Sequence, residues 1–354
     1  MTKLTKKKKA FIQYGFLLFL ICLTTYLVST TLDIRLIPHI IEIVNKKFII
    51  IGIILMLLYI LFESLILQII INSLQNTKIN FIGFKIATMG LYYNLVTPFA
   101  SGSQPIQVYS LTQYNVSLSK SIAIITNKTV LFQTIVTIYC GYFIGCNLEL
   151  LKTEMPSVMI MMIAGMCMNI FMLFTGILIV CSPKKIKLIV NIIIDLLSKF
   201  KIFKNIKSKK SIINLYIDEY SYSIKIFIKD KKALFLSIVL TIIQLTVFFS
   251  IAYCVYKSFN LSGQSYFNIL TLQVFLYMAV SPVPTPGNVG ANEIAFLTIF
   301  SSVFPKELTG YAVFLYGGFI YYFMVIICGI FTINTHSHMG KYKNKKQFKL
   351  SKIR

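Results

Sequence analysis

The sequence predicts an all-α integral membrane protein with about six full transmembrane helices and two re-entrant broken helices that enter from opposite sides. Three observations carry that reading. Hydrophobic residues make up 56% of the 354 positions and charged residues 13%, and mean hydropathy is +0.76, outside the usage of soluble domains. Apolar windows of roughly 20 residues, enough to cross a bilayer, lie at 11–30, 48–71, 119–145, 157–181, 233–256 and 310–333. Two further apolar regions, 81–116 and 268–304, are interrupted by proline and glycine.

The first window follows Lys6, Lys7, Lys8 and Lys9 and runs into STTLDIR without a small-residue cleavage site, so it reads as an uncleaved anchor. The charges then fix the count. Of 35 Lys and Arg, five lie in 1–9, thirteen in 182–232 and seven in 341–354, beside membrane segments as the positive-inside rule requires. This placement, rather than nucleic-acid binding, accounts for the net charge of +24. Both termini and the 182–232 loop are therefore expected in the cytoplasm, at the cell membrane, with 1–340 a polytopic membrane domain and 341–354 a basic cytoplasmic tail. If 81–97 crossed fully, the loop with thirteen basic residues would face outside. A re-entrant 81–116, turning at TPFASGSQP, restores the parity and puts Glu149 and Glu154 outside. By the same count 268–304 starts and finishes outside. KFKIFKNIKSKK at 199–210 is expected either as an amphipathic segment on the membrane surface or as a solvated loop.

The second interruption reads SPVPTPGNVGANEIAF, 281–296. Pro282, Pro284 and Pro286 lack amide donors and stop a helix, while Gly287 and Gly290 open backbone geometries closed to other residues. Irregular backbone at membrane depth is tolerated only inside protein or against a wet cavity. Opposed broken helices suit a midplane binding site, where helix N-termini attract an anion such as a lipid phosphate; the alternative is a purely structural hairpin.

At these stretches the chain resembles the lysylphosphatidylglycerol synthase transmembrane-domain, or flippase-like, family, whose best known member is the multiple peptide resistance factor. In YNLVTPFASGSQPIQVYSLTQYNVS, 93–117, the matching positions are Asn94, Thr97, Pro98, Phe99, Gly102, Gln104, Pro105 and Gln107, with Ser103 in a usual glycine position. In PTPGNVGANEIAF, 284–296, they are Pro284, Thr285, Pro286, Gly287, Gly290 and Glu293, with Asn288 replacing a glycine. With the helix count and the final YYFMVIICG, the resemblance covers nearly the whole chain. The last helix reads LYGGFIYY where many relatives carry an arginine near Gly318. The resemblance implies a headgroup or translocation path along these two blocks.

Charges inside the membrane need a reason, since each costs roughly 2.5–3.5 kcal/mol even on lenient scales. Three qualify: Glu293 after the second break, Lys128 in ITNKTVLFQ and Glu63 in LFESLILQ. An ion pair between Lys128 and Glu293 would tie the broken segments together; alternatively Lys128 snorkels, and Glu63 bonds a neighbouring helix or carries a proton. The seven cysteines lie in or beside apolar segments without a CxxC pair and read as packing residues. The three histidines do not converge on a metal site, and His336 and His338 are expected where the last helix ends. No cofactor is expected.

HExxH, GxSxG and Walker patterns are missing. Full-length enzymes of the resembled family add a C-terminal domain that moves lysine from a charged tRNA to phosphatidylglycerol, and the longest hydrophilic stretch here, 182–232, is too short to be one. Two function classes follow. One is translocation of an anionic or lysylated phospholipid across the cytoplasmic membrane, linked to lipid modification and cationic peptide resistance. The other is a phosphatidylglycerol lysyltransferase, acting alone or with a separate synthase. The expected partners are phospholipids and a separate synthase or glycosyltransferase, not nucleic acid, and a homo-oligomer is left open.

Overall fold

The computed structural model describes residues 36–75, 81–197 and 210–351. The anchor expected at 11–30 lies outside the described residues, as does nearly all of the 199–210 segment. A short helix, α1 (Leu36–Ile43), leads into the first described span, α2 (Lys46–Leu74). Asn45 starts α2 by accepting a hydrogen bond from the Lys47 amide at 3.1 Å, the usual way a helix satisfies a free N-terminal donor.

Next come α3 (Ile82–Val96), a 3₁₀ turn at Pro98–Ala100 and α4 (Ser103–Gln113). This is the re-entrant hairpin expected at 81–116. A second long span, α5 (Leu118–Cys146), is followed by the short α6 (Leu148–Glu154) and by α7 (Pro156–Cys181). Two helices then occupy the basic region, α8 (Pro183–Leu197) and α9 (Lys210–Lys229). The span α10 (Lys231–Ser258) leads to the second hairpin: α11 (Tyr266–Val280), a 3₁₀ turn at Pro286–Asn288 and α12 (Ala291–Ile299). The last span begins as α13 (Lys306–Gly317), passes through a π-helical stretch at Gly318–Phe323 and continues as α14 (Met324–Ser351).

Five of these helices are long and apolar enough to cross a membrane: Lys46–Leu74, Leu118–Cys146, Val158–Leu178, Lys231–Ser258 and Lys306–Ser337. They match five of the six expected windows. The chain is a multi-pass α-helical membrane protein. One expectation fails. The last helix does not end near His336 and His338 but runs through them to Ser351, because the stretch beyond the apolar window is rich in lysine, a good helix former.

The spans pair as antiparallel neighbours. The Asn45 amide at the start of α2 donates to the Ser258 carbonyl at the end of α10 at 2.7 Å. The Gln68 side chain near the end of α2 accepts from the Gly83 amide at the start of α3 at 2.9 Å. One end of the bundle, the basic end, therefore collects the end of α2, the start of α3 and the start of α10. Because lipid tails are as apolar as leucine, packing rather than the hydrophobic effect holds such helices together, and small residues mark the closest crossings. A Cβ at Gly165 would collide with the Met278 carbonyl oxygen, which locks α7 against α11. A Cβ at Gly52 would meet the Phe319 ring at 2.6 Å, setting α2 against the π-helical stretch.

Candidate functional site

Both hairpin breaks contain Thr-Pro, and both fold the same way. Thr97 (φ −118°, ψ 142°) and Thr285 (φ −92°, ψ 148°) are extended, as residues before proline must be. The third residue of each turn is left-handed, Phe99 at φ 53°, ψ 23° and Gly287 at φ 59°, ψ 16°, and so is the fourth, Ala100 and Asn288, both at φ 55°. The Ala100 amide donates to the Thr97 carbonyl and the Asn288 amide to the Thr285 carbonyl, each at 3.2 Å. Left-handed residues other than glycine cost on the order of 1–3 kcal/mol each. The first turn carries two of them, so the surrounding packing must hold it.

The turns meet inside the protein. A Cβ on Gly287 would strike the Tyr321 ring of the π-helical stretch and sit 3.0 Å from the carbonyl oxygen of Leu95, at the end of α3. Only glycine, with no side chain and free access to φ > 0, fits here. One hairpin comes from the basic end and the other from the opposite end, and their irregular backbones touch where they turn.

A family model described as the lysylphosphatidylglycerol synthase TM region matches residues 12–328. The chain belongs to this family. No curated protein matches it, and neither does any solved structure. Membership links this membrane protein to lysylphosphatidylglycerol metabolism.

The family blocks separate into residues that build the first turn and residues that face outward. Thr97 is buried and uses its hydroxyl twice, donating to the Tyr93 carbonyl at 2.6 Å and accepting from the Gly102 amide at 2.9 Å; Gly102 is small enough to lie against it. Gln107, 2% exposed, donates to the Ile86 carbonyl at 3.2 Å and clamps α4 onto α3 where Gly90 leaves room for its amide. Asn94, Pro98 and Gln104 are exposed.

The second block is wired differently. Asn292 donates to the Gly287 carbonyl at 3.3 Å. Glu293 Oε2 accepts from the Gly290 amide at 2.6 Å and so caps its own helix, a favourable place for a carboxylate at a helix N-terminus. Its other oxygen lies 3.7 Å from where a Cβ on Gly317 would stand. Pro284 and Gly290 are exposed, and Pro286 and Glu293 are half-buried. Two hydroxyls beside this break, those of Thr285 and Tyr321, are shielded and have no hydrogen-bond partner among the described residues. Thr285 thus differs from Thr97, whose hydroxyl is fully used.

The expected pair of Lys128 with Glu293 is not formed. Lys128 Nζ is ion-paired with Glu63 Oε1, whose other oxygen accepts from Gln244 Nε2 at 3.0 Å, and the ammonium also lies 5.4 Å from the centroid of the Phe132 ring. The physical reason is local: Glu293 already serves Gly290, while Glu63 is 3% exposed and requires a cation. This triad clamps α2, α5 and α10 and leaves Glu293 without a cationic partner among the described residues.

A second polar cluster was not singled out by the sequence reading. The Gln133 amide of α5 donates to the Asn169 side chain of α7 and, at 3.2 Å, to its carbonyl. Asn169 donates to Gly165 O at 2.8 Å and to the hydroxyl of Ser281, where the second break starts, at 2.9 Å. On α11, Gln273 donates to the Tyr316 hydroxyl at 2.6 Å. The signal that finds these residues is the same one used for charges: an amide side chain in the middle of an apolar window needs a partner.

Proposed function

We propose that this protein moves a lysylated phospholipid between the leaflets, with the headgroup passing the meeting point of the two breaks. The observation that carries the reading is a carboxylate, Glu293, with no cation paired to it, next to two hydroxyls with no partner, Thr285 and Tyr321, all among the described residues. A lysylated headgroup brings ammonium groups for the first and a phosphate that accepts hydrogen bonds from the second. The helix N-terminus at Ser103 and Gln104 on the other hairpin has no carboxylate in its first turn and offers amides to the same phosphate. The tails stay in lipid while the headgroup follows polar backbone. By the positive-inside rule the basic end of the protein faces the cytoplasm.

Binding of a short-chain lysylphosphatidylglycerol to the purified protein in detergent tests the electrostatic half of this. Glu293→Gln keeps the size and a hydrogen-bonding group but removes the charge. It is expected to weaken binding of the lysylated lipid about tenfold or more, an ion pair in a poorly solvated site being worth roughly 1.5–3 kcal/mol, and to leave phosphatidylglycerol binding unchanged. Equal affinity of the variant for the lysylated lipid would sink the assignment. Incubating the same protein with lysyl-tRNA and phosphatidylglycerol separates translocation from aminoacyl transfer: lysylated lipid appearing as product would favour the transferase.

A further inference from the structure

Helix α8 is amphipathic in an unusual sense, because its polar stripe is the one that packs. Lys187, Asn191 and Asp195 recur every four residues and face α9: Lys187 pairs with Asp218 at 2.6 Å and Asp195 with Lys210 at 3.0 Å, and Asn191 Oδ1 is shielded from solvent. The neighbouring stripe, Leu188, Ile189, Ile192 and Leu196, is 50% to 62% exposed. A soluble hairpin would bury such a stripe. α9 leaves it uncovered: it meets α8 through Asp218 and Lys210 and itself exposes Leu215 and Tyr222. Tyr220 and Ile224 close on Ala123 of α5, and Glu219 accepts from the Ser117 hydroxyl at the start of α5 at 2.7 Å.

We infer that the exposed stripe of α8 lies in the surface of the anionic leaflet at the basic end of the protein. Position and charge both select this occupant. Only Ser182 separates α8 from the end of the membrane-crossing helix α7, so α8 starts where the chain leaves the hydrocarbon. Residues 182–232 carry thirteen lysines against Asp195, Asp218, Glu219 and Asp230. That excess repels a second copy of the same face and draws acidic headgroups, each basic residue contributing on the order of 1 kcal/mol near an anionic surface. An apolar stripe with lysines at its membrane end, here Lys184 and Lys185, is the pattern of an interfacial helix. The hairpin α8–α9 then ties the start of α5 to the leaflet surface.

The chain contains no tryptophan, so a single introduced one reports alone. Ile192→Trp in the full-length protein is reconstituted into vesicles containing phosphatidylglycerol brominated in its acyl chains, or brominated phosphatidylcholine in phosphatidylglycerol. Phe171→Trp, on the lipid-exposed side of α7, serves as the reference for full quenching. The expected result is blue-shifted emission at position 192, quenched at least about twofold more by brominated phosphatidylglycerol than by the choline lipid, since lysines enrich acidic lipid around the helix, and little touched by aqueous iodide. Leu196→Trp repeats the measurement should Ile192→Trp reconstitute poorly. Iodide quenching with no bromolipid effect overturns the inference. So does blue-shifted emission that bromolipid leaves unchanged and that reverts as protein is diluted in lipid, which marks a second copy. Equal quenching by both lipids overturns the anionic preference.

Discussion

Replacing Lys128 by methionine is expected to cost about 3–5 kcal/mol of stability, the typical penalty for stranding one member of a buried pair. Glu63 would be left 3% exposed with only the Gln244 amide at 3.0 Å to stabilise its charge. Glu63→Gln strands the lysine instead, and the penalty is smaller for a physical reason: Lys128 is 19% exposed, lies over Phe132, and can extend its long stem toward water. The double variant, Glu63→Gln with Lys128→Met, removes both charges and should recover most of the loss. Thermal unfolding of the four proteins in detergent completes the cycle. Losses that simply add would show the two residues to be uncoupled. Recovered stability with recovered lipid binding marks the triad as a clamp between α2, α5 and α10. Recovered stability without binding would bring the pair into the headgroup path.

Gly287→Ala is the second large effect, and Gly290→Ala is its control. Both glycines have positive φ, +59° and +83°, so alanine carries backbone strain of about 1–3 kcal/mol at either place. Only at 287 does the new methyl also meet the Tyr321 ring and the Leu95 carbonyl, and the space around Gly290 is open. The backbone oxygen cannot move aside unless the first hairpin moves with it. Gly287→Ala should therefore insert into the membrane but lose binding of the lysylated lipid at least about tenfold more than Gly290→Ala, as overpacking by another 1–3 kcal/mol predicts. Similar losses in the two variants would mean that strain, and not the meeting of the two hairpins, sets the requirement for glycine.

The architecture was readable because three independent signals agreed. Window length gave the spans, proline and glycine gave the interruptions, and the lysine clusters gave the parity that turned 81–116 and 268–304 into opposed hairpins. The Thr-Pro turns could be placed from sequence, but their common conformation could not, since PFA and PGN have little in common as residues. Phe99 and Ala100 adopt left-handed backbone that their side chains disfavour, so the fold imposes it from outside. The partner of Lys128 was misread for a similar reason. Intramembrane charges announce that they need partners, and one-dimensional proximity to a motif does not say which. Glu63 sits 65 positions away, in a window with no motif at all. The exposed stripe of α8 was hidden as well: its periodicity marks an amphipathic helix, and only the ion pairs to Asp218 and Lys210 reveal that its polar side faces inward.

Headgroup accessibility in proteoliposomes tests the translocation reading most directly. Lysylphosphatidylglycerol is placed in one leaflet of vesicles containing the protein, and its appearance in the other leaflet is followed with an amine reagent that does not cross the membrane; phosphatidylglycerol, which has no amine, is followed in parallel by periodate cleavage of its headgroup diol. The expected result is a protein-dependent transfer of the lysylated lipid that exceeds transfer of phosphatidylglycerol and falls to the protein-free rate with Glu293→Gln. Transfer indistinguishable from protein-free vesicles, or transfer that ignores the charge of the headgroup and of residue 293, would contradict it.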